Sequence, residues 1–246
     1  MKIRLLNGNI LKILACIFMF IDHLGVFFFP NDEILRIIGR LPMPIFAFFI
    51  AEGAYYTKNK IAYLANVLLL GLIISLVTNV VTHAINIDIL ITFSLSLILI
   101  FIFDLIKDSI YLKNKKNIII YSSIFIITFS LILVLFHYVY FEYRLFALLI
   151  PFFLSLCNFK YKNISDDKKN LIKFLMFIAI YSLCMIISNF IYKINIGLDI
   201  QVYGYFSGIF ILLYNNKRGK LNLKYLFYIF YPAHVVIMNL ILYIQK

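Results

Sequence analysis

The sequence predicts an all-α, polytopic transmembrane bundle, and three observations carry that prediction. Hydrophobic residues fill 64% of the 246 positions and charged residues only 14%, with a mean hydropathy of +0.98. Nine apolar runs follow one another with no strand-like alternation between them. Eighteen of the 23 Lys and Arg residues gather in alternate connections. A soluble domain of this length needs more charge to cover its surface. At about 20 apolar residues per span, most of the chain is membrane, so 1–246 reads as a single integral-membrane domain.

The runs lie at roughly 11–29, 35–56, 61–82, 86–106, 118–137, 141–158, 171–192, 198–214 and 224–244. "ILAC" at Ile13–Cys16 resembles a lipoprotein cleavage box. The apolar run follows the cysteine instead of preceding it, so the first span is expected to be retained. The second run holds Pro42 and Pro44, each without an N–H, so the Ile38 and Arg40 carbonyls lose their usual helical partners. Such a break at membrane depth is tolerated where it faces protein or a watery cavity. Pro232, in the ninth run, frees the Tyr228 carbonyl in the same way. The fourth and eighth runs carry polar residues at their entrances.

The connections holding Lys2, Arg4 and Lys12; Lys58 and Lys60; Lys107 to Lys116; Lys160 to Lys173; and Lys217 to Lys224 alternate with poorly basic ones. Positive residues collect on the cytoplasmic side, which predicts nine spans, an inside N-terminus and a multi-pass plasma-membrane protein. The same rule accounts for the net charge of +12 without a nucleic-acid partner. Cys16, Cys157 and Cys184 all lie in apolar stretches and are expected as buried thiols. No metal-ligand spacing appears.

Ionisable groups inside a span are costly and usually functional. Asp22 and His23 sit in the outer half of the first span, Arg40 opens the second and His234 lies in the ninth. Helical neighbours point about 100° apart, so Asp22 is expected to pair across to Arg40 while His23 serves as a general base near neutrality. Glu142 and Arg144 read as an outer rim pair or substrate contacts, and Glu52 as lining an inner opening. His83 and His137 read as solvated imidazoles at helix ends.

Four stretches resemble the TraX family, membrane proteins associated with acetylation of the pilin N-terminus. They are "LKILACIFMFIDHLGVFFFP", "LRIIGRLPMPIFAFFIAEGAYYTKN", "DILITFSLSLIL" and "LLYNNKRGKLNLKYLFYIFYPAHVVIMNLI". Between about Ile110 and Lys193 the likeness is mainly one of hydropathy. The family is similar to transmembrane acyltransferases that draw on cytoplasmic acetyl-CoA. The resemblance implies acetyl transfer to an amine or hydroxyl on a peptide, protein or glycan acceptor. It carries over His23 as the base, with Asp22, Arg40 and His234 as neighbours. It also implies that Lys217, Arg218 and Lys220 hold the donor's phosphates and that Tyr231, in the Tyr-Pro-x-His ending, lies by the substrate. The expected mechanism is direct transfer, with Arg40 or a similar cation steadying the oxyanion; an acetyl-His intermediate is a variant. A proton-coupled transporter or flippase is the rival reading, because buried Asp, His and Arg also build proton relays. A non-catalytic assembly factor is a third.

Overall fold

The computed structural model describes residues 5–82, 86–158, 165–192, 198–220 and 224–244. Lys2, Arg4, His83, Lys160, Lys162, Lys193 and Lys246 lie outside the described residues. In chain order the helices are α1 (Gly8–Phe28), α2 (Glu33–Ile38), α3 (Pro42–Tyr56), α4 (Lys60–Thr82), α5 (Ile89–Tyr111) and α6 (Lys115–Tyr138). They continue as α7 (Arg144–Leu156), α8 (Asp166–Tyr192), α9 (Leu198–Gln201), α10 (Ser207–Leu213) and α11 (Lys224–Ile244). A 3₁₀ turn, Val202–Phe206, joins α9 to α10. Among the described residues the extended pairing consists of two isolated bridges, Leu6 with Tyr214 and Ile87 with Phe141.

Every apolar run read from the sequence overlaps a helix. Among the described residues six helical stretches are long and apolar enough to cross a membrane: Gly8–Phe28, Glu33–Tyr56, Lys60–Val80, Ile89–Tyr111, Lys115–Tyr138 and Asp167–Ile191. Shorter apolar helical stretches cover Arg144–Leu156, Val202–Leu213 and Ile229–Met238. The protein is therefore a helical membrane protein.

Local chemistry moves several boundaries from those the hydropathy gives. Asp88 does not enter the fourth span; it caps α5, its side chain accepting from the Leu90 N–H. Such a cap stabilises a helix by about 1 kcal/mol. The second span is two helices separated by a turn at Gly39–Leu41. Pro42 takes the first position of α3, where a missing N–H is harmless. The Ile38 carbonyl, expected to lose its partner, accepts from the Leu41 N–H at 3.2 Å. The Leu41 carbonyl in turn accepts from the Ser207 hydroxyl at 3.0 Å. The eighth run is the least regular. Tyr181, fully buried on α8, lies against Gly204 where a Cβ would sit, and the chain tightens there into the 3₁₀ turn.

The chain forms two compact units, 1–49 with 159–246, and 50–158. In the first, α1 packs on α2 and α11, α10 on α8, and α2 on α9. Phe48, Phe49 and Tyr214 form an edge-on aromatic cluster there. In the second, α5 is the centre, with α4, α6 and α7 around it, and Phe103, Phe125 and Phe152 interlock between α5, α6 and α7. Only 6% of the apolar stretch of α6 is buried, as suits a helix whose surroundings are lipid. Asp104 binds both Lys60 and Lys107, at 2.7 and 2.6 Å. Cys16, Cys157 and Cys184 are buried and form no disulfide.

Candidate functional site

Asp22 and His23 leave α1 in different directions and meet different helices. Asp22 faces α2. Its Oδ1 accepts from Arg36 Nη1 at 2.5 Å and from Arg40 Nη2 at 3.0 Å, and Arg40 Nη2 also reaches Oδ2 at 3.3 Å. The Asp22 and Arg40 side chains are 13% and 12% exposed, and Arg36 is 31% exposed. The turn after α2 makes this possible: it folds Arg40 back so that Nε donates to the Arg36 carbonyl at 3.1 Å. Gly39 lies directly against the Asp22 side chain, in space that a Cβ would occupy. Arg40 Nη1 points to Gln201 Oε1 at 3.4 Å. Gln201 Nε2 donates to the Tyr181 hydroxyl at 2.9 Å, which itself donates to the Gln201 carbonyl at 2.7 Å. The guanidinium is thus held from two sides.

His23 faces α11. Its Nδ1 lies 2.7 Å from Nε2 of His234, and the two rings stack with centroids 4.8 Å apart. Nδ1 of His234 is 2.7 Å from the Phe230 carbonyl. Phe230 stacks on His234 at 5.0 Å, Tyr231 meets it edge-on at 5.9 Å, and Phe27 lies 6.0 Å from His23. His234 is 4% exposed. Two imidazoles in contact, beside a carboxylate shared by two guanidiniums, form a polar layer that faces α2 on one side of α1 and α11 on the other.

The basic segment Lys217–Lys220 sits at the other end of α1. Its backbone carbonyls at Lys217 and Arg218 accept from the Gly8 and Asn9 N–H groups, at 2.8 and 3.0 Å. These are among the amides that a helix start leaves without internal partners. Asn7 completes the cap by accepting from Ile10 at 3.0 Å. Gly219, at φ +95°, makes the bend close to Asn7 and Asn9. With the carbonyls turned to α1, the side chains of Lys217, Arg218 and Lys220 are exposed. Lys12 and Lys173 lie over the rings of Phe49 and Phe48, at 4.8 and 5.4 Å. The 14 residues from Asn9 to His23 put about 21 Å of helix between this basic end and the imidazoles.

A family model described as TraX protein matches residues 7–242. The chain belongs to the TraX family. Two curated relatives align over shorter stretches. An uncharacterized protein of Rickettsia prowazekii (strain Madrid E) is 40% identical over 72 residues, 29% of this chain and 27% of the relative. A protein of Dichelobacter nodosus named "Probable fimbrial assembly protein FimC, serogroup H1" is 37% identical over 67 residues, 26% of this chain and 28% of the relative. The chain thus covers under a third of the length of either relative. No solved structure matches it.

The polar layer of this TraX family member draws together Asp22, His23, Arg40, His234 and Tyr231, and adds residues not among the site residues expected from the sequence. Arg36 is one; its spacing of four from Arg40 is the signal that both reach one face. Gln201 and Tyr181 are others, and a glutamine inside an apolar run is the cue for the first. Glu52, Glu142 and Arg144 belong to the second unit. Glu52 is buried at 4% exposure. Glu142 accepts from the Ile89 N–H at 3.3 Å, and its carbonyl accepts from Thr92 at 3.2 Å. The Arg144 guanidinium lies 5.2 Å from the Tyr140 ring. His137 is exposed. Among the described residues no three His, Cys, Asp or Glu side chains gather as a metal set.

Gly39 offers a clean probe of this layer. Its φ of −64° suits any residue, so Gly39→Ala acts by its methyl alone, pushing on Asp22. Overpacking of this kind costs about 1–3 kcal/mol. The expected outcome is a lower unfolding temperature in detergent. An unchanged temperature would show that Asp22 is not held tightly against α2.

Proposed function

We propose that the chain is a membrane-embedded acetyltransferase that moves an acetyl group from cytoplasmic acetyl-CoA to an envelope-side amine or hydroxyl. A pilin-like peptide N-terminus is the favoured acceptor. One observation carries the reading: α1 holds His23, in contact with His234 of α11, about 21 Å along its axis from a basic segment whose backbone carbonyls dock on the helix's own N-terminus and whose cations are exposed. Phosphates held by Lys217, Arg218 and Lys220 leave the donor's long flexible arm free to run along α1 toward His23. His23 takes the acceptor's proton as its nitrogen or oxygen attacks the thioester carbonyl, and the thiolate leaves as coenzyme A. The field of Arg36 and Arg40, only partly offset by Asp22, favours the negative charge that develops on the carbonyl oxygen.

In this reading the basic end faces the cytoplasm, the polar layer lies toward the outer side and nine segments cross the plasma membrane. Membership of the TraX family and the fimbrial-assembly name of the Dichelobacter nodosus relative favour a pilus-related acceptor.

The experiment is a thermal-shift titration of the detergent-solubilised chain with acetyl-CoA, paired with transfer assays using radiolabelled acetyl-CoA and envelope peptides. Saturation at 100 times Kd stabilises a folded protein by about 2.7 kcal/mol, so a clear rise in unfolding temperature is expected. Replacing Lys217, Arg218 and Lys220 together by alanine should weaken binding roughly tenfold, a modest effect because exposed charges are screened. No stabilisation and no label transfer would end the acetyl-CoA reading and leave the transporter as the better account.

A further inference from the structure

The hydrogen bonds of His234 carry information about which nitrogen of His23 is basic. A carbonyl oxygen only accepts, so the contact between Nδ1 of His234 and the Phe230 carbonyl, 2.7 Å, requires the proton on Nδ1. A neutral imidazole then has a bare Nε2, which can only accept. That nitrogen lies 2.7 Å from Nδ1 of His23, so the proton in this second contact belongs to His23 Nδ1. With both rings neutral, no other assignment satisfies both contacts. The lone pair of His23 is left on Nε2.

We infer that His23 takes its proton through Nε2 and that His234 is its positioning residue, held by the Phe230 carbonyl as an acceptor for the His23 Nδ1–H. The inference rests on the acetyl-transfer reading for its catalytic meaning, and on geometry alone for the tautomer. A histidine base is commonly oriented by a carboxylate, as in the serine-protease triad. Here the neighbouring carboxylate, Asp22, is taken up by Arg36 and Arg40, and a second imidazole receives the Nδ1–H instead. When Nε2 accepts the acceptor's proton, the new imidazolium keeps its Nδ1–H on His234, which supports the positive charge without carrying one. His234 needs a fixed ring for this. Its burial, the stacked Phe230 ring and the edge of Tyr231 supply that.

The test is ¹⁵N NMR of the full chain, labelled at histidine and held in lipid nanodiscs, alongside acetyl-transfer kinetics. His23 should show a protonated Nδ1 and a bare Nε2, assigned by comparison with His23→Gln. His234→Ala should abolish that preference and lower kcat roughly tenfold to a hundredfold, a share of the about 10²–10⁴-fold that a positioned base contributes. KM for acetyl-CoA should stay within about twofold, because no donor contact is removed. His234→Gln, whose side-chain oxygen also accepts, should recover much of the loss and guards against a variant that merely misfolds. A His23 protonated at Nε2 in the unmodified chain would overturn the proposal. So would a His234→Ala protein with normal kcat. If the chain transfers no acetyl group at all, the acetyl-CoA reading fails, while the NMR result still decides the tautomer by itself.

Discussion

Replacing His23 by alanine is expected to lower acetyl transfer by about 10²–10⁴-fold, the range a positioned general base supplies, while acetyl-CoA still raises the unfolding temperature of the solubilised protein. The two readouts separate because His23 and the basic segment sit at opposite ends of α1, about 21 Å apart. Loss of the ring removes the proposed proton acceptor and leaves the Lys217–Lys220 segment anchored on Gly8 and Asn9. The variant should remain folded, since the ionic contacts of Asp22 run to α2 and not through His23. Its cost is a cavity beside His234, whose own anchor to the Phe230 carbonyl stays in place. Near-normal turnover in a folded His23→Ala protein would remove His23 from the chemistry, whatever the donor. Loss of both turnover and the thermal response would show that the substitution had damaged the bundle.

Much of this arrangement is legible in the chain because charge inside an apolar run is so costly that it stands out. Asp22, His23, Arg40 and His234 are visible for that reason, and adjacency on a helix already separates the directions of Asp22 and His23. The prolines at 42 and 44 mark the break after α2. What hydropathy does not resolve is how the break is repaired. The Leu41 N–H closes the turn onto Ile38, and Ser207, more than 160 positions away, satisfies Leu41. Those are tertiary contacts, and a serine in an apolar segment gives no hint of its partner.

Arg36 illustrates a second kind of blindness. Near a helix end it looks like an interfacial cation, yet the fold spends it on Asp22. Gln201 stands out as a polar residue in an apolar run, but its partners do not, because only together with Tyr181 does it hold the far side of Arg40. The basic segment is the reverse case. Its charge was easy to see and its topological meaning easy to state, but its docking runs through backbone carbonyls at Lys217 and Arg218, to which composition is indifferent. Hydropathy also overstated regularity in the eighth run, where packing of Tyr181 against Gly204 yields a short helix, a 3₁₀ turn and another short helix.

The largest stability effect is expected at Asp22. Removing one partner of a buried ion pair typically costs about 3–5 kcal/mol, because the charge left behind has lost both water and partner. Asp22→Ala leaves two guanidiniums facing the vacated place. Arg36, 31% exposed, can swing to water and recover part of its solvation; Arg40, 12% exposed and tethered to the Arg36 carbonyl, has less freedom. The loss is therefore expected near the lower end, about 3 kcal/mol, read as a fall in unfolding temperature in detergent. Arg40→Ala alone should also destabilise, since it strands Asp22 with a single half-exposed partner. The double variant should cost less than the sum of the two, as coupled contacts do. Asp22→Asn keeps a hydrogen-bonding oxygen and should fall between wild type and Asp22→Ala. Additive effects of Asp22→Ala and Arg40→Ala would contradict a shared ionic contact between them, and would leave Arg36 as the ionic partner of Asp22.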